Sequence, residues 1–585
     1  MGPAVVTVET SAFDGQKPGT SGLRKKTTVF QQEHYVENFV QATLSAVGED
    51  VLRGKELVVG GDGRFYNDVM IQKILRICAA NGVGKVVVGQ HGLLSTPAVS
   101  ALIRSLGSAG GFILTASHNP GGADNDCGIK YNVSNGGPAP EGVTAKIFDN
   151  TKTISSYKTV EGMADVDLAT CGVTAVEVLD GFTVEVVDST TNYVELMDKV
   201  FDLSAIKSLL SRPDFEFTYD GMHGVAGPYA RRIFHEELGV PLASLHNCEP
   251  SETFGGGHPD PNLTYASELV ARMGLTSSGA KSGASPDAIP DFGAAADGDA
   301  DRNMVLGKEF FVTPSDSLAV IAANANCIPF FRDAGGLKSV ARSMPTSAAA
   351  DLVAERNSFP MFQVPTGWKF FGNLMDSGEL GKEDLTPLIC GEESFGTGSN
   401  HIREKDGIWA VLCWLSILAA RNEDPAAPLV SVEDIVKDHW STFGRNYYSR
   451  YDYENVESDK AAKVMDGLTA KIKAFKEQGA AALGMDDAPG FEISDCDEFE
   501  YFDKVDGSVS SHQGWRFMFA DGSRFVFRLS GTGSVGATIR LYIEKYEKDD
   551  IDKPTAVALE GLVKVALDFS DLVALTGRKE PTVIT

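Results

Sequence analysis

A serine and a histidine in a tight turn are the first residues of this sequence that could carry covalent chemistry. Residues 115–122 read TASHNPGG, and they follow the apolar run 112–114. The residue before a proline avoids the α region and glycine supplies positive φ, so the sequence NPGG predicts a tight turn. A hydroxyl at such a turn projects from a strand end, where open α/β folds place nucleophiles. Ser117 is therefore the candidate nucleophile, with an ordinary serine-rich turn as the alternative.

Three aspartates at alternate positions form the most specific metal signal in the sequence. Asp297, Asp299 and Asp301 follow a small-residue strand pattern, and carboxylates spaced in this way can surround one hard divalent cation. An EF-hand is excluded, because its sixth position needs glycine and its twelfth needs glutamate, where this chain has Arg302 and Lys308. Three ligands with open coordination positions instead favour Mg²⁺ shared with a substrate phosphate. The alternative is a purely structural acidic turn.

Glycines and hydroxyl groups between two arginines predict a phosphate site late in the chain. Residues 528–540 read RLSGTGSVGATIR, in which backbone N–H, hydroxyl and guanidinium donors can surround a phosphate dianion. The pattern is neither a P-loop nor a Rossmann fingerprint. Strand-like runs at 524–527 and 539–543 argue against the alternative, a flexible Gly/Ser linker. A second candidate anion loop is the basic stretch 17–26, whose alternative is a flexible surface loop.

Two polar loops could read the hydroxyl groups of a sugar. Residues 364–369 and 390–399 each follow an apolar segment. The second loop contains Glu392 and Ser394, which can accept and donate hydrogen bonds to vicinal hydroxyls. Taken singly, each is only a polar loop. Beyond them lie a potential proton carrier and two cations, His401, Arg403 and Lys405.

Lys130 and two further histidines are weaker candidates. Lys130 lies in the run 126–132, which leads back towards the turn of Ser117, although a solvated lysine at a strand end is the commoner case. His223 and His258 could bind a metal ion. They are far apart and lack the i, i+4 spacing of a helical pair, which favours their interpretation as turn histidines.

The pattern of strands and helices predicts how these residues are brought together. Residues 56–60 and 85–89 are short, aliphatic and glycine-terminated, and residues 69–80 have the apolar spacing of a helix. Buried strands separated by a helix predict a βαβ unit and a mainly parallel sheet. The turn of Ser117 follows a third such strand, so it lies at a carboxyl edge, where active sites gather. A similar strand-to-turn pattern at 215–224 indicates repeated α/β domains.

The length and composition exclude several classes of protein. A chain of 585 residues predicts about four domains of roughly 150 residues each. The net charge of −28 repels nucleic acid and anionic membranes, so an anionic substrate needs a local basic cleft. The 8 cysteines include no CxxC pair, which predicts free thiols in a reducing compartment. Without a visible signal peptide or an apolar run of about 18 residues, we expect a soluble cytoplasmic protein.

Four loops taken together resemble the signature loops of the α-D-phosphohexomutase family, in the family's order across almost the whole chain. They are the serine turn 115–122, the aspartate loop 297–302, residues 390–399 with 401–405, and the phosphate loop 528–540. Within this family, the amino-acid sequence of residues 17–24, 364–373 and 528–534 resembles that of the eukaryotic type of phosphoglucomutase. Four loops matching together are far more specific than any one of them.

The resemblance implies a four-domain, heart-shaped α/β protein with one loop from each domain facing a central cleft. Three related α/β domains with mixed sheets are expected, followed by an α+β domain. We place the phosphoserine domain at 1–205, the metal-binding domain at 206–320, the sugar-recognition domain at 321–430 and the phosphate-binding domain at 431–585. A monomer is expected, with a dimer as the alternative.

The resemblance also assigns roles to residues at matching positions. Ser117 is implied to carry a phosphoryl group in the resting enzyme and, with the aspartates, to bind Mg²⁺; the aspartates are Asp297, Asp299 and Asp301. Contacts to the sugar are implied for Thr366, Gly367, Glu392 and Ser394. Contacts to the bisphosphate are implied for Arg24, Asp301, Arg302 and Lys405. The distal phosphate site is implied to comprise Arg528, Ser530, Gly531, Thr532, Gly533, Ser534 and Arg540. Arg24 also counts among the implied catalytic residues, and the candidates for proton transfer are His118, Lys130 and His401.

The activity that the resemblance implies is an isomerase reaction on hexose phosphates. Glucose 1-phosphate and glucose 6-phosphate interconvert through a phosphoserine enzyme, with glucose 1,6-bisphosphate as intermediate and activator. The alternatives are a phosphomannomutase-like activity and a parafusin-like, non-catalytic role in regulated secretion. A hydrolase with an aspartyl nucleophile would use Asp297 and Asp299, but it would leave Ser117 and Arg540 without a role. Small hexose phosphates are the expected partners, and nucleic acid is not.

Overall fold

The computed structural model describes residues 3–19, 21–176, 181–285, 288–483, 491–533 and 536–585. The chain falls into two compact units. The first unit comprises Met1–Pro314, Asn324–Ser339 and Gly367–Glu433. The second unit comprises Ser315–Ala323, Val340–Thr366 and Asp434–Thr585.

The first unit begins with a seven-stranded mixed sheet and its helices. In chain order the elements up to residue 200 are β1 (Ala4–Glu9), β2 (Leu23–Lys26), α1 (Thr27–Phe30), α2 (Tyr35–Val47), α3 (Glu49–Leu52), β3 (Glu56–Gly61), α4 (Asn67–Ala80), β4 (Lys85–Leu93), α5 (Thr96–Leu106), β5 (Gly110–Leu114), β6 (Asp126–Val133), α6 (Glu141–Thr153), β7 (Ser156–Glu161), β8 (Gly172–Ala175), β9 (Thr183–Val187) and α7 (Thr191–Val200). The strand order in this sheet is β2-β6-β5-β3-β4-β9-β8, and β1 pairs separately with β7.

The predicted βαβ unit is confirmed at the centre of this sheet. β3 runs parallel to both β4 and β5, and α4 connects β3 to β4. The three strands lie at the centre of the sheet. Their aliphatic residues, such as Val58, Val87 and Ile113, suit this position because a central parallel strand is buried on both faces. β6 returns antiparallel to β5 and places Lys130 opposite Ile113. The end of β5 therefore carries the turn of Ser117 at the carboxyl edge of the parallel strands, as the sequence predicts.

A five-stranded sheet follows in the first unit. Its elements are α8 (Leu203–Leu210), β10 (Phe217–Asp220), α9 (Ala226–Ala230), a π-helix (Arg231–Glu237), a 3₁₀ turn (Leu242–Ser244), β11 (Leu245–His246), a 3₁₀ turn (Phe254–Gly256), α10 (Ser267–Arg272), β12 (Phe292–Ala296), β13 (Asn303–Gly307) and β14 (Phe310–Phe311). The strand order is β11-β10-β12-β13-β14, with β10 parallel to β12 and β13 antiparallel to it. β12 is fully buried and leads directly into the aspartate loop.

Residues 314–443 are shared between the two units. Their elements are α11 (Pro314–Ala323), a 3₁₀ turn (Ala325–Cys327), α12 (Pro329–Arg332), β15 (Ser339–Ser343), α13 (Ala349–Asn357), β16 (Met361–Val364), α14 (Trp368–Met375), β17 (Leu388–Glu392), β18 (Gly396–Ser399), α15 (Gly407–Arg421) and α16 (Val432–Phe443). β15 runs parallel to β16, whereas β17 and β18 form an antiparallel hairpin. α15 is apolar on all sides and is buried from Gly407 to Ala419, as expected of a helix inside a core.

The second unit contains a six-stranded sheet that fits the predicted α+β domain. Its remaining elements are β19 (Arg445–Val456), α17 (Ser458–Gln478), a 3₁₀ turn (Ala480–Leu483), β20 (Ile493–Glu498), β21 (Tyr501–Phe502), β22 (Val509–Ser510), β23 (Trp515–Phe519), β24 (Arg524–Gly533), β25 (Gly536–Glu547), α18 (Thr555–Ser570), α19 (Leu572–Thr576) and β26 (Val583–Ile584). The strand order is β20-β23-β24-β25-β19-β26. Alternate residues of β25, such as Ile539 and Leu541, pack with α17 and α18 in one apolar core.

Two predictions concern the chain as a whole. All eight cysteines are free thiols in the structure, as predicted. Among the described residues, no helix combines the length and the apolar character needed to cross a membrane.

Candidate active site

Ser117 lies in a strained turn immediately beyond β5. Its backbone has a φ of 53°, a left-handed conformation that residues other than glycine rarely adopt. The side chain is buried, and its Oγ lies 2.8 Å from Oδ2 of Asp297 and 3.3 Å from Nδ1 of His118. Backbone strain of this kind is often kept at functional sites. The predicted nucleophile is thus held against the first residue of the predicted metal site.

A buried network that sequence reasoning missed holds this turn in place. Thr115 accepts the amide N–H of Ser117 at 2.7 Å and donates its hydroxyl to Asp62 at 2.6 Å. Arg64 pairs with Asp62 at 2.8 Å and donates a second hydrogen bond of 2.8 Å to the carbonyl of Ser117. Burial raises the pKa of Asp62, against the opposing charge of Arg64. The sequence signal was a charged pair, Asp62 and Arg64, directly after a buried strand.

The three predicted metal ligands converge in one buried loop after β12. Ligand oxygens of Asp297, Asp299 and Asp301 all lie within 4.8 Å of one another. Ala300 has a φ of 64°, which folds the loop tightly between the second and third aspartates. Oδ1 of Asp297 accepts the N–H groups of Asp301 and Arg302, at 2.9 and 3.0 Å. These backbone donors fix the first carboxylate, while the other two point into the same space.

The chemistry of this loop fits a hard divalent cation. Oδ1 of Asp299 and Oδ1 of Asp301 are buried and have no hydrogen-bond donor among the described residues. A buried carboxylate oxygen without a donor is costly unless a cation compensates it. Burial, together with the charges of Asp299 and Asp301, raises the pKa of Asp297 well above its usual range. Binding of a divalent cation would favour all three charged carboxylates, so the residues present fit Mg²⁺.

Thr96 fixes the central aspartate and was also missed by sequence reasoning. Its hydroxyl donates to Oδ2 of Asp299 at 2.6 Å, and its N–H donates to the carbonyl of Asp299 at 3.0 Å. Thr96 begins α5, whose first turn is capped by the side chain of Ser95. Although burial opposes the charge, Lys130 and the hydrogen bond from Thr96 lower the pKa of Asp299. No sequence motif connects a threonine at a helix start with an aspartate about 200 residues later.

Four cationic side chains that the sequence predicted surround the aspartates. Lys405 lies 3.1 Å from Oδ2 of Asp301, and Nε of Arg302 lies 3.9 Å from Oδ2 of Asp297. Burial lowers the pKa of the half-buried Arg24, the charge of Asp299 opposes this shift, and the charge of Arg302 adds to it. Lys130 is the fourth cation, and its charge lowers the pKa of Asp299. The first unit therefore brings the serine, the carboxylates and these cations into one site.

Lys130 has a buried carboxylate partner that the sequence analysis did not single out. Oε1 of Glu404 accepts hydrogen bonds from Nζ of Lys130 at 2.8 Å and from the amide of Asn132 at 2.9 Å. Burial raises the pKa of Glu404, which Lys130 opposes. Glu404 precedes Lys405, so one short loop reaches both Lys130 and the aspartate loop.

The predicted sugar-reading residues lie at the ends of short elements. Glu392 ends β17, and its Oε1 accepts the N–H of Gly367 at 2.9 Å. Gly367, with a φ of 129°, comes directly before α14. Ser394 lies half-buried in the hairpin turn between β17 and β18, so this stretch is a hairpin rather than a simple loop. In the second unit, the hydroxyl of Thr366 is buried and has no hydrogen-bond partner among the described residues. A bound hydroxylated ligand could satisfy it.

His401 lies outside the group of side chains that meet at Ser117. Its side chain is fully buried, and its Nδ1 and Nε2 lie 2.8 Å from Oγ of Ser399 and 3.0 Å from Oδ2 of Asp406. The ring also stacks on Trp409, with ring centres 5.1 Å apart. Of the three candidates for proton transfer, Lys130 is mostly buried beside the aspartates and His118 is half-buried next to Ser117.

The predicted distal phosphate site lies on two paired strands of the second unit. Arg528 of β24 and Arg540 of β25 are cross-strand neighbours, as are Ser530 and Thr538. Nε of Arg528 donates to the carbonyl of Gln513 at 3.1 Å. The side chain of Arg540 is 35% exposed, and its Nε lies 3.7 Å from Asp452. The strands predicted on both sides of this stretch are confirmed as β24 and β25.

The glycine-rich part of this stretch is only partly described. Gly531, Thr532 and Gly533 continue β24, and the pairing register shifts between Ser530 and Gly533. The predicted site residue Ser534 lies outside the described residues.

Comparisons with known proteins match the whole length of the chain. Residues 15–158, 191–309 and 314–443 match the phosphoglucomutase/phosphomannomutase α/β/α domains I, II and III. Residues 445–582 match the phosphoglucomutase-1 C-terminal domain. The chain therefore belongs to the phosphoglucomutase/phosphomannomutase family and has that family's four-domain architecture. The domain limits predicted from the sequence stay predictions.

Three relatives show how close the similarity is. A probable cytoplasmic phosphoglucomutase 2 from Arabidopsis thaliana is 59% identical, covering 99% of both chains. The cytoplasmic phosphoglucomutase of Solanum tuberosum is likewise 59% identical over 99% of both chains. Among solved structures, the open form of the exocytosis-sensitive phosphoprotein parafusin, a phosphoglucomutase from Paramecium, aligns with a TM-score of 0.89. That protein is 52% identical, and the alignment covers 100% of this chain and 99% of the other.

Proposed function

We propose that this chain is a phosphoglucomutase, which interconverts glucose 1-phosphate and glucose 6-phosphate in the cytoplasm. The observation that carries the proposal is the contact of 2.8 Å between Oγ of Ser117 and Asp297, at a buried aspartate cluster lined with cations. Full-length plant relatives at 59% identity are named cytoplasmic phosphoglucomutases, which supports both the reaction and its location.

The metal of this reaction is proposed to be Mg²⁺, held by the aspartate loop. Asp297, Asp299 and Asp301 would bind it together with an oxygen on Ser117. Bound there, the cation would neutralise charge on the phosphoryl oxygens and act as a Lewis acid. The two buried carboxylate oxygens without donors, on Asp299 and Asp301, support this assignment.

The first half of the reaction moves a phosphoryl group from Ser117 to the sugar. The 6-hydroxyl of glucose 1-phosphate attacks the phosphorus, the bond from phosphorus to Oγ of Ser117 breaks, and the hydroxyl loses its proton. The products are glucose 1,6-bisphosphate and the free serine. Phosphoryl transfer depends mainly on in-line positioning and on stabilisation of developing charge. Arg24, Arg302, Lys130 and Lys405 are proposed to supply that positive charge.

The second half returns a different phosphate to the serine. Glucose 1,6-bisphosphate turns round, and its 1-phosphate is transferred to Oγ of Ser117, which leaves glucose 6-phosphate. The reversal needs a second phosphate position. We assign it to the second unit, to Arg528, Ser530, Gly531, Thr532, Gly533, Ser534 and Arg540. The cross-strand pairing of the two arginines supports this assignment.

The sugar must be recognised in both of its orientations. Glu392 and Ser394, with Gly367 and Thr366, are proposed to contact hydroxyl groups that superpose when the sugar is reversed. Burial raises the pKa of Glu392, against the charge of Lys405. A buried carboxyl at the end of β17 is well suited to hydrogen bonding with sugar hydroxyls.

His118 and Lys130 are proposed as the two candidates for proton transfer. Nδ1 of His118, 3.3 Å from Oγ of Ser117, would accept the proton of the attacking hydroxyl as a neutral imidazole, whereas the charged Lys130 would donate a proton to the departing Oγ of Ser117. A proton acceptor must come within hydrogen-bond reach of the substrate. His118→Ala and Lys130→Met, compared in their pH–rate profiles, separate the two candidates.

A coupled assay tests the proposal directly. The full-length protein is supplied with glucose 1-phosphate, Mg²⁺ and trace glucose 1,6-bisphosphate, and glucose 6-phosphate is followed through its dehydrogenase. We expect turnover that is lost in Ser117→Ala, and a slower reaction with mannose 1-phosphate. Intact mass before and after mild acid shows whether the enzyme carries an acid-stable serine ester. Full activity in Ser117→Ala would reject Ser117 as the nucleophile. Release of glucose and inorganic phosphate with an acid-labile acyl phosphate on the enzyme would instead favour a hydrolase with an aspartyl nucleophile.

A further inference from the structure

Four buried side chains form a continuous hydrogen-bonded chain around the loop of residues 400–405. Oγ of Ser399 lies 2.8 Å from Nδ1 of His401, and Nε2 of His401 lies 3.0 Å from Oδ2 of Asp406. The other oxygen of Asp406 accepts the hydroxyl of Tyr193 at 2.5 Å. The side chains of His401 and Asp406 are fully buried. The group has the composition of a Ser-His-Asp triad, but its imidazole is closed off from solvent by full burial.

We infer that His401 is a positioning residue, which clamps this loop so that it delivers Glu404 to Lys130 and Lys405 to Asp301. The inference rests on the proposed function, because those two contacts matter only if Lys130 and Asp301 belong to the active site. It also removes His401 from the candidates for proton transfer.

The hydrogen bonds around the ring support this role. Nε2 lies against a carboxylate oxygen of Asp406 and Nδ1 against the hydroxyl of Ser399. Both ring nitrogens therefore have protein partners, which leaves no free lone pair to take a proton from a sugar hydroxyl. Stacking on Trp409, with an interplanar angle of 13°, further fixes the plane of the ring.

The clamp joins the two rigid ends of the loop. Ser399 is the last residue of β18, and Asp406 caps the N-terminus of α15 by accepting the N–H of Trp409. The hydrogen bonds of His401 tie these ends together across the loop. Between them, Glu404 contacts Lys130 at 2.8 Å and Lys405 contacts Asp301 at 3.1 Å. A shift of the loop would therefore move both contacts together.

The decisive variants are His401→Gln and His401→Ala, made in the full chain. The amide nitrogen of glutamine can reach the position of Nε2 and donate to Asp406, whereas alanine cannot. We expect His401→Ala to lower kcat/KM by about 100-fold, the effect of a misplacement near 1 Å. His401→Gln should stay within about fivefold of wild type, and the pH–rate profile should keep its shape in both variants. Equal, large losses in both variants with one limb of the profile missing would overturn the inference.

Further variants connect the clamp to the residues it is proposed to position. Asp406→Asn keeps a good helix cap but removes the carboxylate partner of His401, so we expect a loss similar to that of His401→Ala. In a Lys405→Ala background, His401→Ala should cost clearly less than it does alone, because both act through one loop. Fully additive losses would contradict the clamp. If His401→Ala fails to fold by circular dichroism, His401→Gln and Ser399→Ala decide the matter.

A structural readout separates this inference from the proposed function. Crystal structures of wild type, His401→Gln and His401→Ala should keep the contact between Lys405 and Asp301 in the first two and lose it in the third. An unchanged contact in His401→Ala would overturn the inference. Absence of turnover by wild type in the coupled assay would instead reject the proposed function. The crystal structures would still show whether His401 holds the contact between Lys405 and Asp301.

Discussion

Thr96 donates its hydroxyl hydrogen to Asp299 over 2.6 Å, although 203 positions separate the two residues in the sequence. The central aspartate of the candidate metal site follows β12 of the five-stranded sheet. It is thus oriented by the first residue of α5, a helix that connects two strands of the seven-stranded sheet. Partners of this kind orient the metal ligands, and their mutation commonly costs about 10- to 100-fold in metal affinity.

Replacing Thr96 with valine should weaken metal binding without removing a ligand. Valine has the same shape but no hydroxyl, so Oδ2 of Asp299 loses its donor. We expect Mg²⁺ affinity to fall by about 10- to 100-fold, as measured by titration calorimetry and by the Mg²⁺ dependence of turnover. Thr96→Ser keeps the hydroxyl and is the matched control. Equal affinities in the valine and serine variants would show that this hydrogen bond does not orient Asp299.

Replacing Thr115 with valine should disturb the turn of Ser117. The variant loses the hydrogen bond to the buried Asp62 and the acceptor for the N–H of Ser117. The buried N–H of Ser117 is then left without its acceptor, which costs about 1–3 kcal/mol, while Asp62 keeps its pairing with Arg64. We expect a lower melting temperature and slower phosphorylation of Ser117, followed by intact mass spectrometry. Thr115→Ser, which keeps both hydrogen bonds, should behave like wild type. If it behaves like the valine variant, the lost methyl group, rather than the hydrogen bonds, is responsible.

The sequence predicted those parts of the site whose chemistry is local. The turn of Ser117 and the triplet of aspartates each carry their signal within a few consecutive residues. The parallel strands before them have aliphatic runs that fix their burial, so the carboxyl edge that presents Ser117 was also predictable. Contact between Ser117 and Asp297 followed only from the family resemblance, because spacing within one segment does not show which distant segments meet.

The parts that the sequence did not reveal depend on long-range contacts of ordinary residues. Thr96 is a single threonine without a motif, and Thr115 stands in the serine turn without any local sign of its contact with Asp62; their roles exist only once β5, α5 and the aspartate loop are assembled. Glu404 stood beside the singled-out Lys405, but nothing local shows that its carboxyl is buried against Lys130. His401 was a candidate proton carrier because of its residue type, whereas its full burial is a tertiary property.

Replacing each of two helical glycines, Gly407 and Gly467, with alanine should change stability in opposite directions. A Cβ on Gly407 would lie 2.3 Å from the carbonyl oxygen of Arg302, a backbone atom of the aspartate loop. Gly407→Ala should therefore displace Arg302, lower the melting temperature and reduce kcat/KM. A Cβ on Gly467, within α17, meets nothing within 4 Å. Gly467→Ala should be neutral or stabilise by about 0.5–1 kcal/mol, because alanine favours the helix. Thermal melts and the coupled assay on both variants check this contrast, and loss of activity in Gly467→Ala alone would refute it.

His439 should make the stability of the second unit depend on pH. Burial lowers the pKa of this imidazole to about 4, and its Nδ1 has no partner among the described residues. In the unfolded chain the pKa is about 6.5, so only the unfolded state takes up a proton between these values. The stabilisation is complete above pH about 6.5 and is lost as the pH falls towards 4.

The difference between the folded and unfolded pKa values of His439 lowers the free energy of unfolding by about 2 kcal/mol between pH 7 and pH 5. We expect the urea midpoint of wild type to fall more over that range than the midpoint of His439→Leu, whose side chain cannot titrate. Parallel curves for wild type and His439→Leu would mean that the imidazole is already solvated, or protonated, in the folded state.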